Sequence, residues 1–241
     1  MTFQKRRLAL VLVESVLLIG VVLSVTACAD VQEESASQRL ATVLDWIRSG
    51  PVRAEGETVQ WTYGNGGRNA RLDLEKLSSG DRISGPYWAL DGTYYWVNGE
   101  EARSVSYQEI ADDPTSRTAL MAAELIATFT VSNPYAVLQS LDLGSLKYVE
   151  DEKMIEGRAQ VRSVLLTALP SNAVESLMEG LETSTFVVRI EIGSEGQPLR
   201  TDIQWTRGES PPQLSTWTWA AAAAEPAPPE SSTPLRSTVG S

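Results

Sequence analysis

The sequence predicts an α+β fold, and three observations carry that expectation. Apolar residues recur at helical spacing in the first and middle thirds of the chain, they alternate with polar ones in the stretches between, and turn dipeptides separate the two patterns. The predicted order is helix, strands, helices, strands, a short helix and a closing hairpin. The 241 residues suffice for one domain with tails, and a hydrophobic content of 42% supplies a packed core.

In chain order, Leu40, Val43, Leu44 and Ile47 fall on one face of a helix over 38–48. Ser37 stands at its start and Gly50-Pro51 at its end. Val59, Trp61 and Tyr63 alternate up to the turn Gly64-Asn65-Gly66-Gly67, and Ala70, Leu72 and Leu74 share a face after it. Asp91-Gly92 lies between two aromatic runs and predicts a two-residue hairpin, because both positions suit positive φ. That turn pairs Leu90 with Thr93, Ala89 with Tyr94, Trp88 with Tyr95 and Tyr87 with Trp96. Both faces then carry aromatics, so both are covered or one lines a cavity.

Residues 106–143 read as helical. Asp113-Pro114 and Asn133-Pro134 are cap-and-proline starts, and Leu120, Met121, Glu124, Leu125 and Thr128 follow helical spacing. Strands are expected at 146–150 and 160–167, with a turn through Glu156-Gly157. A short helix runs from Ser171 to Glu179. A hairpin of 185–192 and 199–205 turns across residues 193–196, and Trp217 and Trp219 end a last strand. The domain is thus expected over 38–219. The alanine, proline, serine and threonine text of 220–241 reads as a disordered tail.

The amino terminus carries the sharpest signal. Lys5, Arg6 and Arg7 precede an apolar run that ends in Val25-Thr26-Ala27-Cys28. A basic start, an apolar middle and small residues before a cut site make an export signal over 1–27. The last four residues resemble a bacterial lipobox. Cys28 would then carry a covalent diacylglyceryl group, and 28–37 would be a tether; no other cofactor is expected. Two alternatives stand beside this: Cys28 as a small buried residue, and the apolar run as an uncleaved membrane helix, for which about 20 residues suffice. Either membrane reading places the domain at the extracytoplasmic face of the cell membrane.

Composition narrows the chemistry. Residues 1–27 hold a net +2, so the remaining chain holds −13 of the overall −11. An acidic domain repels phosphate backbones, so no nucleic-acid partner is expected. The chain has no histidine and one cysteine, which removes histidine-based triads, histidine zinc sites and an intrachain disulfide. Asp112-Asp113 and Asp151-Glu152 read as solvated turn charges without calcium-loop spacing. No catalytic or metal-binding set is expected.

The lipobox, the Asp91-Gly92 hairpin with Thr93-Tyr94-Tyr95-Trp96, and the Asn133-Pro134-Tyr135-Ala136-Val137-Leu138 helix occur in a characteristic order. With Val149–Val161 and the closing hairpin 186–205, they resemble the LppX/LprAFG-type lipoproteins of actinobacteria and, more distantly, the carriers LolA and LolB. The resemblance covers about Ser37–Trp219. It implies a curled antiparallel sheet, a half-barrel, with helices packed on its concave face and acyl chains of a lipid or lipoglycan held between. Trp61, Trp88, Trp96, Leu125 and Phe129 are the candidate lining residues, each also an ordinary core position. The alternative function is a non-enzymatic envelope interaction or sensor module with a protein partner the sequence does not name.

Overall fold

The computed structural model describes residues 34–74, 85–98, 101–178, 184–208 and 210–235. Cys28, the export signal and most of the tether lie outside them. The elements belong to the unit Ala36–Ser241. The fold is α+β: an open 12-stranded sheet and, among the described residues, six α-helices, consistent with a curled half-barrel.

The chain enters through α1 (Ala36–Arg48), whose Leu40, Val43 and Ile47 are buried as their spacing predicts. An antiparallel meander follows: β1 (Val52–Glu55), β2 (Val59–Gly64), β3 (Asn69–Leu74), β4 (Tyr87–Leu90), β5 (Thr93–Asn98) and β6 (Glu101–Ser106). Three helices come next, α2 (Tyr107–Asp112), α3 (Arg117–Val131) and α4 (Pro134–Gln139). The second half holds β7 (Lys147–Val149), β8 (Met154–Gln160), α5 (Val161–Leu165), α6 (Ser171–Leu177), β9 (Thr185–Ile192), β10 (Pro198–Thr206) and β11 (Gln213–Ala221). β7 to β11 are antiparallel neighbours in chain order, and β11 pairs with β1, so the two meanders form one sheet. A final short strand, β12 (Thr233–Pro234), pairs with β6 in parallel.

The hairpin at Asp91-Gly92 has the predicted register, Tyr87 opposite Trp96 through Leu90 opposite Thr93, with φ of 47° and 79° at the turn. The helices pack on one face: Trp61 Nε1 donates to the Ser132 carbonyl at 3.2 Å and the Tyr63 hydroxyl to Asn133 Oδ1 at 2.8 Å. Strand alternation puts Thr62, Gly64, Arg71, Trp88 and Tyr95 on the opposite, outer face.

Four segments differ from the sequence expectation. Glu156-Gly157 lies inside β8, opposite Arg189 and Val188, and the turn comes earlier, at Lys153 with φ 50°. Glycine is needed there for room: a Cβ at Gly157 would stand 2.7 Å from the Leu146 side chain. The expected strand 160–167 is largely α5, because Val161, Val164 and Leu165 bury at helical spacing. The helix expected after Asp113-Pro114 begins at Arg117, capped by Ser116, while α2 before it closes a capping box of Ser106 and Glu109. Its buried stripe is Ala119, Ala122, Ala123, Ile126, Phe129 and Thr130, with Met121 exposed. Small alanines let this helix pack closely against α2, α4, α5 and α6.

The carboxyl-terminal segment also has structure where the composition suggests none. Ala220 and Ala221 complete β11 against Arg53 and Val52. Ala222 N donates to the Pro51 carbonyl and Leu235 N to the Ser104 carbonyl, both at 2.8 Å. A proline-rich strap can lie extended without internal hydrogen bonds, and Pro234 is tolerated because β12 is an edge strand.

Candidate functional site

A pocket of about 570 Å³ opens at the end of the first meander, between its hairpin turns and α4. Its sheet wall is Trp61, Ala70, Tyr87, Ala89 and Tyr94. The turns contribute Gly66, Gly67, Arg68, Asp91 and Gly92, and the helical side contributes Thr130, Asn133, Tyr135, Ala136, Gln139, Thr167 and Ala168.

Aromatic packing fixes the wall. The rings of Tyr87 and Phe129 are 4.3 Å apart, Trp61 meets Tyr87 edge-on at 6.2 Å, and Tyr87 stacks on Tyr94 at 6.5 Å. Offset and edge-to-face pairs of this kind add about 0.5–1.5 kcal/mol each beyond their buried area. Their polar tips are tied to the helical layer, Trp61 through Ser132 and Tyr94 through the Ala168 carbonyl. The Tyr87 hydroxyl has no hydrogen-bond partner among the described residues, although the residue is only 2% exposed. Burial pushes the Tyr63, Tyr87 and Tyr94 hydroxyls well above the ordinary value of 10.0, so all three stay neutral.

Asn133 is the hinge of the helical side. Its Oδ1 accepts from the Tyr63 hydroxyl and from Tyr135 N and Ala136 N, capping α4 as the Asn-Pro start predicts. With that oxygen engaged, Nδ2 is the donor Asn133 can offer the pocket. Tyr135 in turn accepts from Arg48 Nε at 3.1 Å, joining α1 to the rim. Its ring lies so close to Gly67, at φ 81°, that a Cβ there would stand 2.4 Å from it. The pocket therefore combines aromatic walls with a hydroxyl, an amide and the charged side chains of Arg68 and Asp91 at its rim, and its accessible lining is at least as polar as it is apolar. It suits a molecule with an apolar part and a neutral polar part.

The candidate residues read from the sequence fall in different places. Trp61 lines the pocket. Phe129 is buried behind Tyr87, Trp96 is buried on the helix-facing side, and Leu125 is half-buried beside the core. Trp88 is buried on the outer face, because it alternates with Tyr87 and Ala89, and Arg71 lies over its ring at 5.6 Å. Tyr87, Tyr94, Asn133 and Tyr135 line the pocket, although the sequence marked them only as hairpin and helix-start residues and not as lining residues. The register of the Asp91-Gly92 hairpin already puts Ala89 and Tyr94 side by side, and that is the available signal. In the second meander Ile155, Val188, Ile190 and Val164 are fully buried, and a smaller pocket of about 260 Å³ lies beside Gln160, Val161, Glu175 and Ser184. No group of three or more acidic or cysteine side chains able to hold a metal occurs among the described residues.

No protein-family model and no curated protein matches the sequence. Among solved structures, the chain is similar to an uncharacterized conserved protein from Thermus thermophilus, with a TM-score of 0.45 and 9% identity over 84% of this chain and 99% of that one. It is similar also to the Mycobacterium tuberculosis lipoprotein LppX, with a TM-score of 0.36 and 10% identity over 77% and 93%. A third is LprF from Mycobacterium bovis, at 0.37 and 12% over 80% and 96%. LppX and LprF bear names of the family that the sequence resembles. The functional reading rests on this chain's own pocket.

Proposed function

We propose that the protein is an extracytoplasmic lipoprotein, anchored through a diacylglyceryl group on Cys28. Its domain takes the apolar part of a lipid or lipoglycan in the pocket between β2–β5 and α4. The observation that supports this reading is the pocket itself: Trp61, Tyr87 and Tyr94 form its wall, and the Tyr87 hydroxyl and Asn133 offer polar contacts. Its 570 Å³ lies within the range of about 300–1,000 Å³ typical of small-ligand sites. That volume suits one chain or ring system, so the bulk of a multi-chain lipid stays outside. The reading assigns no catalytic step, in keeping with a chain that lacks histidine.

One experiment addresses both parts. The full chain is extracted from membranes in mild detergent and weighed by native and denaturing mass spectrometry. The denatured mass should be that of a chain beginning at Cys28 with a covalent diacylglyceryl group. A chain that retains residues 1–27 would replace the anchor with an uncleaved helix. The native spectrum should show an additional non-covalent lipid, lost from the Ala89→Phe variant, whose ring fills the pocket. Wild-type protein that leaves the membrane with an empty pocket would rule the binding role out.

A further inference from the structure

The pocket mouth is formed by two turns, the first resting on the Tyr135 ring at Gly67 and the second accepting from Tyr107 N at the Gly92 carbonyl. A Cβ at Gly66 would meet nothing within 4 Å. Asn65 and Asp91 both sit in the left-handed region, at φ 48° and 47°, which is uncommon for residues other than glycine. Side-chain hydrogen bonds hold them there. Asn65 Nδ2 donates to Asp91 Oδ1 at 3.2 Å, and Asp91 N donates to Asn69 Oδ1 at 3.2 Å. One further bond reaches this pair from far along the chain: Asn65 N donates to Glu225 Oε1 at 3.2 Å.

Glu225 belongs to the carboxyl-terminal strap, which starts beside β1 at Pro51 and ends on β6 at Ser104. The strap meets the sheet on its outer face, where a Cβ at Gly64 would stand 2.9 Å from the Glu225 side chain. Pro226, next in the strap, is buried, and Leu235 packs against the core at the far end. Trp88 and Leu90 lie on β4 between those ends and are buried as well. The strands that carry the pocket wall on one face thus meet the strap's territory on the other.

We propose that Glu225 is a positioning residue for the pocket. Through it the strap latches the β2–β3 turn, and by way of Asn65 the β4–β5 turn, in the geometry that keeps the mouth open. The contact stands on its own; its consequence for binding rests on the pocket being the ligand site. The strap is held at its ends by Ala222 N on the Pro51 carbonyl and by the two-residue β12 with Leu235, and between them by the Glu225 carboxylate and the buried Pro226, so loss of the Glu225 contact frees the turns without unfolding the sheet.

The test uses the full chain in lipid nanodiscs. Hydrogen exchange is followed at Gly64–Arg68 and Leu90–Thr93, with β8 and β9 as internal reference. Uptake of dansylundecanoic acid is measured after subtracting that of empty nanodiscs. Glu225→Ala should speed exchange at both turns by roughly threefold to tenfold, the weight of one hydrogen bond, and leave β8 and β9 unchanged. Gly64→Ala, acting from the other side of the contact, should do the same, and Glu225→Gln, which keeps the acceptor oxygen, should restore most of the protection. Probe uptake should fall in the first two variants and recover in the third. Turns that exchange at the wild-type rate in Glu225→Ala would overturn the latch, as would acceleration spread equally over β8 and β9. Wild-type protein that takes up no probe while the exchange pattern holds would leave the latch standing and remove the binding role of the pocket.

Discussion

The two meanders of the sheet bury their helix-facing sides in different ways. From β8 to β10 the buried residues are mainly aliphatic, with Ile155, Val188, Ile190 and Ile203 beside Phe186 and the small Ala159. From β2 to β5 they are mainly rings: Trp61, Tyr63, Tyr87, Tyr94 and Trp96. Branched aliphatic side chains interdigitate to crystal-like density, and the smaller pocket of this region is lined instead by Gln160, Val161, Arg162, Glu175, Met178 and Ser184. Rings are flat and stiff, and the polar tips of Trp61, Tyr63 and Tyr94 are hydrogen-bonded, whereas the Tyr87 hydroxyl and the buried Trp88 Nε1 have no partner among the described residues. The partners lie on helices and their connections, so the rings stand as a wall with space beside them. The pocket of Trp61, Tyr87 and Tyr94 occurs in the half of the sheet whose helix-facing side is made of rings.

The contrast can be broken experimentally. Ile190→Ala, in the aliphatic half, should lower the unfolding free energy by about 2–5 kcal/mol through the cavity it leaves. Denaturant titration reads that loss, and pocket occupancy per folded molecule should not change; a parallel fall in occupancy would mean that the two halves act as one. Asn133→Ala removes the cap of α4 and orphans the Tyr63 hydroxyl. It should cost about 1–3 kcal/mol in the same titration and also weaken ligand uptake. Stability loss with uptake intact would take Asn133 out of the site.

The smallest effect at neutral pH is expected of Tyr87→Phe, below about 1 kcal/mol, because the hydroxyl it removes has no partner to lose among the described residues. Alkaline solution should amplify it. Burial raises the Tyr63, Tyr87 and Tyr94 hydroxyls above 10.0 in the folded state, so the fold favours their neutral forms. Their contribution is fully present below the unfolded value and is lost as pH climbs past it toward the folded values. The unfolding midpoint should therefore drop as pH rises above about 10, the ordinary tyrosine range, and drop less steeply in Tyr87→Phe. Equal slopes would show that Tyr87 is solvated rather than enclosed.

The fold was legible wherever local chemistry and tertiary demand agreed. Asp91-Gly92 fixed a register because only a few residue types accept its dihedral angles, and Asn133-Pro134 announced a helix start that the Oδ1 contacts bear out. Gly157 misled because its reason lies in Leu146 and Leu141, which pack where a side chain would be, and no local pattern reveals that. For the site, the aromatic alternation named the correct strands. It could not say which of Tyr87 and Trp88 faced the helices, since both faces of β4 are buried. The strap was invisible for a related reason: proline, alanine and serine text signals an absence of core, yet Pro226 and Leu235 are held by contacts far away in sequence.

The sheet ends at β12 on one side and at β7 on the other. An uncovered strand edge is a template on which a second copy can add. Pro234 has no N–H to offer such a copy, and β7 presents three residues, with Lys147 exposed among them. Copies tethered to one membrane would meet at far higher local density than copies in solution, with their approach confined to a plane. With the anchor proposed at Cys28, a proline on one edge and a three-residue strand on the other would limit edge-to-edge addition between neighbouring copies.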